Sequence, residues 1–449
     1  MASERSLGSF LLRGATLVDA AGERLGDLRV RAGKIVEIAS SLAPVIDEEV
    51  IESEGCYLLP AFVDLHTHLR EPGGERAETI LSGTGAGALG GYRCVVAMPN
   101  TIPTIDSVEV VRHLRQLAKA APIEVAISAA ITRGRRGEEL VEMSELAAEG
   151  VVLFTDDGRG VQDDGLMRAA LEMASTLGVT LGQHCEHEGH AKGAPMHEGA
   201  WSSRLGLAGQ PRLAEIAMVA RDLALVEELD ASMHFLHLST AEAIEMVRTA
   251  RARGLRVTAE ATPHHLALTH AEVASFDPVF RVNPPLRESA DVRAVRTGLV
   301  DGTIDAIATD HAPHSPETKD EPFDCAPPGM IGLETAFAVA HTELVVGAHL
   351  RVANASGAPM LTMGDLVRLF STAPARIARV DDQPGSGTIT VGAPADLVLF
   401  DPKVQWRVDE DRGASRSRNT PFAHLDLVGR IRHHLHDGQL IVRDAKLVL

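Results

Sequence analysis

Apolar and polar residues alternate in two different ways along the chain. Near both ends the apolar runs are short and bounded by Gly, Pro or Asp, the pattern of half-buried strands joined by turns. Phe10–Val18, Leu28–Arg31 and Lys34–Ile38 read as strands at the start, and Gly387–Val391, Leu397–Phe400 and Gln439–Val442 at the end. Between them, near-continuous apolar runs alternate with segments of helical period. Eight runs stand out: Tyr57–Leu65, Tyr92–Ala97, Ile123–Ile131, Val151–Phe154, Val179–Gln183, Met233–Leu238, Arg256–Ala261 and Ala306–Ala308. The helical segments include Val108–Ala120, Glu138–Ala148, Leu166–Leu177, Ala214–Leu229 and Ala241–Arg253. Continuous apolar strands suit a parallel sheet covered on its faces. Eight strand–helix units in series predict a closed barrel. The expected fold class is therefore α/β, a (β/α)8 TIM barrel over residues 57–380. A small β-sandwich domain would be built from both chain termini, residues 1–56 and 381–449.

Composition narrows the class of function. Lys and Arg total 43 and Asp and Glu 62, a formal charge of −19. So acidic a chain lacks the basic surface that binds nucleic acid or anionic membrane. No apolar run reaches the ~20 residues of a membrane span, and Met1–Phe10 has no long apolar signal region. The four cysteines, Cys56, Cys94, Cys185 and Cys325, form no CxxC pair. That spacing predicts reduced thiols and a cytoplasmic location.

In a parallel barrel, chemistry gathers at the C-terminal ends of the strands. Here those ends read Asp64-Leu65-His66-Thr67-His68-Leu69-Arg70, Met98-Pro99-Asn100-Thr101 and Thr155-Asp156-Asp157-Gly158. They continue with His184, His237, Thr262-Pro263-His264-His265 and Thr309-Asp310-His311-Ala312-Pro313-His314. His66 and His68 lie two apart, so a strand points both imidazoles to one face, as a chelating arm for a divalent metal requires. His68, Asp157, His184, His237 and Asp310 then recur in step with units of roughly 30 residues. Four histidines and two carboxylates can hold two divalent metals with one carboxylate shared, and nitrogen with carboxylate ligands suits Zn²⁺ best. Arg70 follows the His pair, and its planar guanidinium suits a carboxylate.

These residues resemble the amidohydrolase superfamily. Within it, Asp64–Gly73 (DLHTHLREPG), Met98–Thr101 (MPNT), Thr309–His314 (TDHAPH) and Gly387–Phe400 (GTITVGAPADLVLF) are similar to the dihydroorotases, and the resemblance covers essentially the whole chain. Many superfamily members bridge their metals with a carboxylated Lys. Val151–Gly158 (VVLFTDDG) contains none, and so resembles the bacterial dihydroorotases in which an Asp replaces it. The resemblance gives that role to Asp157 and leaves Asp156 as the alternative. It implies one metal on His66, His68, Asp157 and Asp310 and another on Asp157, His184 and His237, with one or two Zn²⁺ per subunit.

The implied reaction is reversible closure of N-carbamoyl-L-aspartate to L-dihydroorotate in pyrimidine biosynthesis, by metal-bound hydroxide with Asp310 as general acid and base. His68, Arg70, Asn100, Asn283 and His314 would bind substrate, and the backbone around Pro328 and Gly329 would hold the ring. Several relatives have Phe-Gly there, so Pro328 is a departure. The family also implies a homodimer and an association with aspartate transcarbamoylase. Rival readings are an allantoinase or hydantoinase, which usually keep the Lys bridge, and a non-catalytic dihydroorotase-like subunit, which typically has lost metal ligands. His264 and His265 are left unassigned, since the ligand set is already full. His187 and His190 read as solvated, Glu71 as the partner of a nearby Arg, and Asp409-Glu410-Asp411 as a solvated face. The Pro, Gly and charge content of residues 311–330 predicts a loop able to move.

Overall fold

The computed structural model describes residues 8–347, 361–381 and 387–448. Eight strands run in parallel in the middle of the chain: β1 (Phe62–Thr67), β2 (Tyr92–Ala97), β3 (Glu124–Ala129), β4 (Leu153–Thr155), β5 (Thr180–Gln183), β6 (Ser232–Phe235), β7 (Arg256–Ala261) and β8 (Ala306–Ile307). Each pairs with its sequence neighbour, in the order β1 to β8. The last meets the first through a parallel bridge between Thr67 and His311, where the His68 N–H donates to the His311 carbonyl at 2.8 Å. The sheet is thus closed as the sequence predicts. Helices fill the crossovers: Val108–Ala118, Asp164–Leu177, Leu213–Leu229 and Ala241–Ala252 lie close to their expected bounds. Asp163 and Thr240 cap two of them by accepting from the N–H groups of Leu166 and Ala243, which satisfies first-turn donors.

Three expectations need correction. The run Tyr57–Leu65 is two strands. Tyr57–Pro60 pairs with Phe10–Asp19 and with Leu397–Arg407, and only from Phe62 does the chain enter the barrel. Pro60 has no N–H, and the Ala61 N–H donates to Asp396 instead, at 3.0 Å. The ladder therefore switches sheets at this point without a turn. The helix expected over Glu138–Ala148 covers only Met143–Ala148, because the chain before it folds back as Leu140 bridges Thr132. Gly387–Val391 is not a strand. Its Ile389 N–H donates to the Asp19 carboxylate at 2.7 Å and its Ile389 carbonyl accepts from Arg24 at 2.8 Å, so side chains take the place of a ladder.

The terminal unit is a nine-stranded sheet. Tyr57–Pro60 lies at its centre, with the N-terminal strands on one side and Leu397–Arg407, Asp426–His436, Gln439–Arg443 and Lys446–Leu447 on the other. Its own apolar core includes Leu12, Leu28, Leu58, Leu397 and Leu435. Among the described residues no helix is long and apolar enough to cross a membrane.

Candidate active site

The C-terminal strand ends converge on one buried cluster. At the end of β1, His66 and His68 share a face as expected. Asp157 follows β4 and divides its carboxylate between two pairs of imidazoles. Its Oδ2 lies 3.4 Å from His66 Nε2 and 3.5 Å from His68 Nε2. Its Oδ1 lies 3.4 Å from His184 Nδ1 and 3.5 Å from His237 Nε2. Asp310, after β8, stands 3.1 Å from His68 Nε2 and 3.5 Å from His66 Nε2. All six side chains are buried. Asp310 and His237 have positive φ angles of 44° and 32°, which non-glycine residues adopt at a cost that the surrounding packing must hold.

Asp156 faces elsewhere. Its Oδ1 accepts from the N–H groups of Ile131 and Thr132 at 2.8 and 3.0 Å, and its Oδ2 from the Thr132 hydroxyl. It ties the end of β3 to β4.

A second layer orients the first. His66 Nδ1 is 2.9 Å from Glu260 Oε1, and Glu260 Oε2 is 3.1 Å from His234 Nε2. His68 Nδ1 is 2.8 Å from Asn100 Oδ1, and Asn283 Nδ2 is 3.3 Å from His184 Nε2. Burial opposes charge on His66, but Asp157 and Asp310 outweigh it and hold its pKa well above 6.5. Burial likewise opposes ionisation of Asp157 and Asp310, yet His66 and its neighbours hold both well below the usual carboxylate range. Burial and then its histidine partners set Glu260, which comes out at about 2. Three ionised carboxylates thus surround these histidines.

The donor set fits a divalent metal on its own terms. His66–His68–Asp157 and Asp157–His184–His237 each bring three ligand atoms within 4.8 Å of one another. His66 Nε2 is buried with no hydrogen-bond partner, a cost that a ligand bond would remove. An imidazole whose other nitrogen meets a carboxylate, as His66 meets Glu260, is the usual arrangement of a metal-ligating histidine.

Of the other predicted residues, Arg70, Asn100 and His314 share one pocket. Arg70 and Asn100 line a pocket of about 380 Å³ with Pro313 and His314, within the range of small-molecule sites. Arg70 donates through Nε to the Pro313 carbonyl at 3.1 Å. Burial, with two carboxylates resisting, brings its pKa down to about 10, so it remains a cation at neutral pH. Pro328 has no N–H, and its carbonyl accepts from His314 Nε2 at 2.8 Å. The Gly329 N–H donates to the Arg281 carbonyl at 2.9 Å. The backbone donors of this pair are therefore already engaged within the protein.

Glu71 does not pair with an arginine in the described structure. Its carboxylate accepts from the Ile80 N–H at 2.8 Å, at the start of the helix Ile80–Leu89. His187 is exposed and His190 half-exposed, as expected. Sequence reasoning missed Glu260 and His234, whose only signal was charge inside the apolar runs of β6 and β7. It also left out His264, which is buried with an unpartnered Nε2 and has Asp310, His237 and His66 among its electrostatic neighbours.

The family model described as dihydro-orotase-like matches residues 55–243. The chain is 43% identical over 436 residues to the dihydroorotase of Pelotomaculum thermopropionicum, covering 97% of this chain and 98% of that relative. The chain belongs to the dihydroorotase family. The dihydroorotase of Mycobacterium tuberculosis is 44% identical over 429 residues, 95% of this chain and 96% of its own length. Among solved structures, the dihydropyrimidinase of Brevibacillus agri superposes with a TM-score of 0.83 at 25% identity, covering 98% of this chain and 96% of that one. The L-hydantoinase of Arthrobacter aurescens, at 21% identity with a TM-score of 0.86 over 98% of each chain, shares the fold. The nearly whole-length matches mean that the terminal sheet belongs to the family's shared body as much as the barrel does.

Proposed function

We propose that the chain is a dihydroorotase, an enzyme that interconverts N-carbamoyl-L-aspartate and L-dihydroorotate in pyrimidine biosynthesis. The observation that carries this reading is the Asp157 carboxylate, with one oxygen on His66 and His68 and the other on His184 and His237. With no Lys between Val151 and Gly158, it takes the place of the modified-lysine bridge. The same residues support Zn²⁺ in a binuclear arrangement, on His66, His68, Asp157 and Asp310 for one ion and Asp157, His184 and His237 for the other. Bound metal would supply Lewis acidity, polarising a substrate carbonyl and lowering the pKa of water.

The protein's own groups do the rest. Asp310 is held ionised by His66 and His68 against its burial. In hydrolysis it can therefore take a proton and pass it to the leaving ring nitrogen, and in ring closure it does the reverse. Arg70 offers a cation to the substrate carboxylate at the pocket mouth, beside Asn100 and His314. Asn283 and the Pro328–Gly329 segment would also meet substrate, the first beside His184 and the second beside His314. Asn100 also keeps His68 in one orientation.

A division into a metal-dependent barrel and a terminal β unit belongs to this reading, with the first boundary moved from residue 57 to residue 61 because Tyr57–Pro60 lies in the terminal sheet. Family membership supports a homodimer, association with aspartate transcarbamoylase and a cytoplasmic location as further parts of it. The test is hydrolysis of L-dihydroorotate by the purified protein, before and after chelation and on return of Zn²⁺. Chelator-sensitive turnover restored by Zn²⁺ is expected. Turnover of hydantoin or allantoin with none of dihydroorotate, or no turnover by metal-loaded protein, would sink the reading.

A further inference from the structure

Three consecutive carbonyls beside His314 are each held by a different side chain. Pro327 accepts from Lys319 Nζ at 2.9 Å. Pro328 accepts from His314 at 2.8 Å. Gly329 accepts from Asn419 Nδ2 at 3.0 Å. Two of these donors also reach a second segment. Lys319 Nζ donates to the Pro278 carbonyl at 2.8 Å, on the stretch that leads to Asn283. Asn419 Nδ2 donates to the Ala312 carbonyl at 3.0 Å, while its Oδ1 accepts from the His314 N–H at 3.2 Å. Asn419 is buried and comes from the C-terminal part of the chain, 90 to 107 residues from the loops it joins. It uses both amide hydrogens and its oxygen on those loops.

We propose that Asn419 and Lys319 are positioning residues for substrate binding: Asn419 clamps Gly329 against the Ala312–His314 loop, Lys319 ties Pro327 to the Pro278–Arg281 stretch, and together they fix the backbone on which His314 rests. The contact leaves no slack. Gly329 has φ 145°, and a Cβ there would lie 2.8 Å from His314 Nε2 and 2.9 Å from the Ala312 carbonyl oxygen. Two prolines in sequence remove the N–H groups with which the segment could anchor itself, so side chains supply the anchors from outside. Lys319 meets three carbonyls and, among the described residues, no carboxylate within ion-pair distance. Burial, reinforced by the Arg281 guanidinium, pushes its pKa down to about 7. A lysine kept under that strain in a backbone-only nest serves to hold that backbone. The loop that sequence alone marks as mobile is thereby pinned at its far end.

The inference rests on the dihydroorotase reading, and its test separates the two. Asn419→Asp keeps the shape of the side chain but sets a carboxylate against two carbonyls. Lys319→Met keeps the stem and removes the donors. In full-length, metal-loaded enzyme each is expected to raise KM for dihydroorotate about tenfold or more, the worth of one to two buried hydrogen bonds. The kcat should stay within about threefold and the metal content should not change. Lys319→Arg, which keeps a donor, should restore much of the loss. Amide exchange over residues 329–332 should quicken in both variants, with or without substrate. A folded variant with wild-type KM overturns the proposal, as does wild-type exchange over 329–332. Loss of kcat and metal together with unchanged KM would mark a merely structural role and also overturn it. If Asn419→Asp does not fold, Lys319→Met decides. A wild-type enzyme inert toward dihydroorotate would overturn the functional reading, while the exchange rates would still judge the clamp.

Discussion

Asp156 and Asp157 are chemically identical neighbours with different tasks, and what their oxygens face decides which. Asp156 accepts three hydrogen bonds from the end of β3, and burial raises its pKa despite them. Asp157 meets four imidazoles and stays ionised. Asp157→Asn should therefore cost metal at both positions, read as metal per subunit after dialysis. Asp156→Ala should instead leave two buried N–H groups unpaired and cost about 2–3 kcal/mol of stability, read from urea unfolding. Equal metal loss in both variants would contradict the division. Glu260→Gln should weaken metal binding by roughly 10–100-fold through His66, measured by competition with a chelating dye. Asp310→Asn should lower kcat by about 10²–10⁴; near-normal turnover would remove it from proton transfer. The histidine pair was legible in the sequence because strand geometry fixes where residues two apart point. The choice between Asp156 and Asp157 was not, because each sits at a strand end and only the neighbouring strand distinguishes them. Glu260 was hidden for a related reason: nothing in RVTAEA says which charge sits across the barrel from which histidine.

Elements carry these side chains through contacts that periodicity does not reveal. Helix Leu213–Leu229 offers Glu215, whose carboxylate accepts from the N–H groups of Ser239 and Thr240 at 3.1 and 2.8 Å and from both hydroxyls. It thereby fixes the loop just after His237, where the backbone is left-handed. Glu215→Ala should cost about 2–4 kcal/mol, since several buried donors lose their acceptor at once, and should lower metal retention by displacing His237. Unchanged stability in thermal unfolding would show that the loop holds itself. At this scale the barrel strands and most helices were readable from apolar runs and helical period. Two of the three misread elements share a cause. At Gly387–Val391 and Glu138–Ala148, side-chain or loop hydrogen bonds compete with the regular ladder, and pattern alone does not register that competition.

Across the molecule, buried neutral histidines make the fold sensitive to acid. Burial lowers His265 to about 3 with His237 adding to it, His197 to about 3 with Arg287 adding, and His434 to about 4. In the unfolded chain these groups take a proton near pH 6.5. Between there and about pH 4 the unfolded state binds more protons, so stability falls as pH drops. The slope is about 1.4 kcal/mol per pH unit for each histidine. His66, His184 and His436, raised by neighbouring carboxylates against their burial, work the other way, but His68, His264 and His314, which burial also lowers, keep the balance with the lowered set. Bound metal would add to the trend, because its ligands must be deprotonated. Urea midpoints should drop steadily from pH 7 to 5; a flat profile would contradict the burial of these imidazoles.

The central place of Tyr57–Pro60 in the terminal sheet bears on how the protein is made. One flank of that strand pairs with Phe10–Asp19, already synthesised, while the other waits for Leu397–Arg407. At roughly 5–20 residues per second, a ribosome needs about 17–70 s to supply the missing partner. For that interval the nascent chain carries an open strand edge, a surface prone to pairing with other chains. The barrel is complete in sequence before the gap can close, so the last strands dock onto a body that already stands. Translation pauses before residue 397 should therefore raise aggregation of this chain, and chaperones that cover strand edges should matter most in that window.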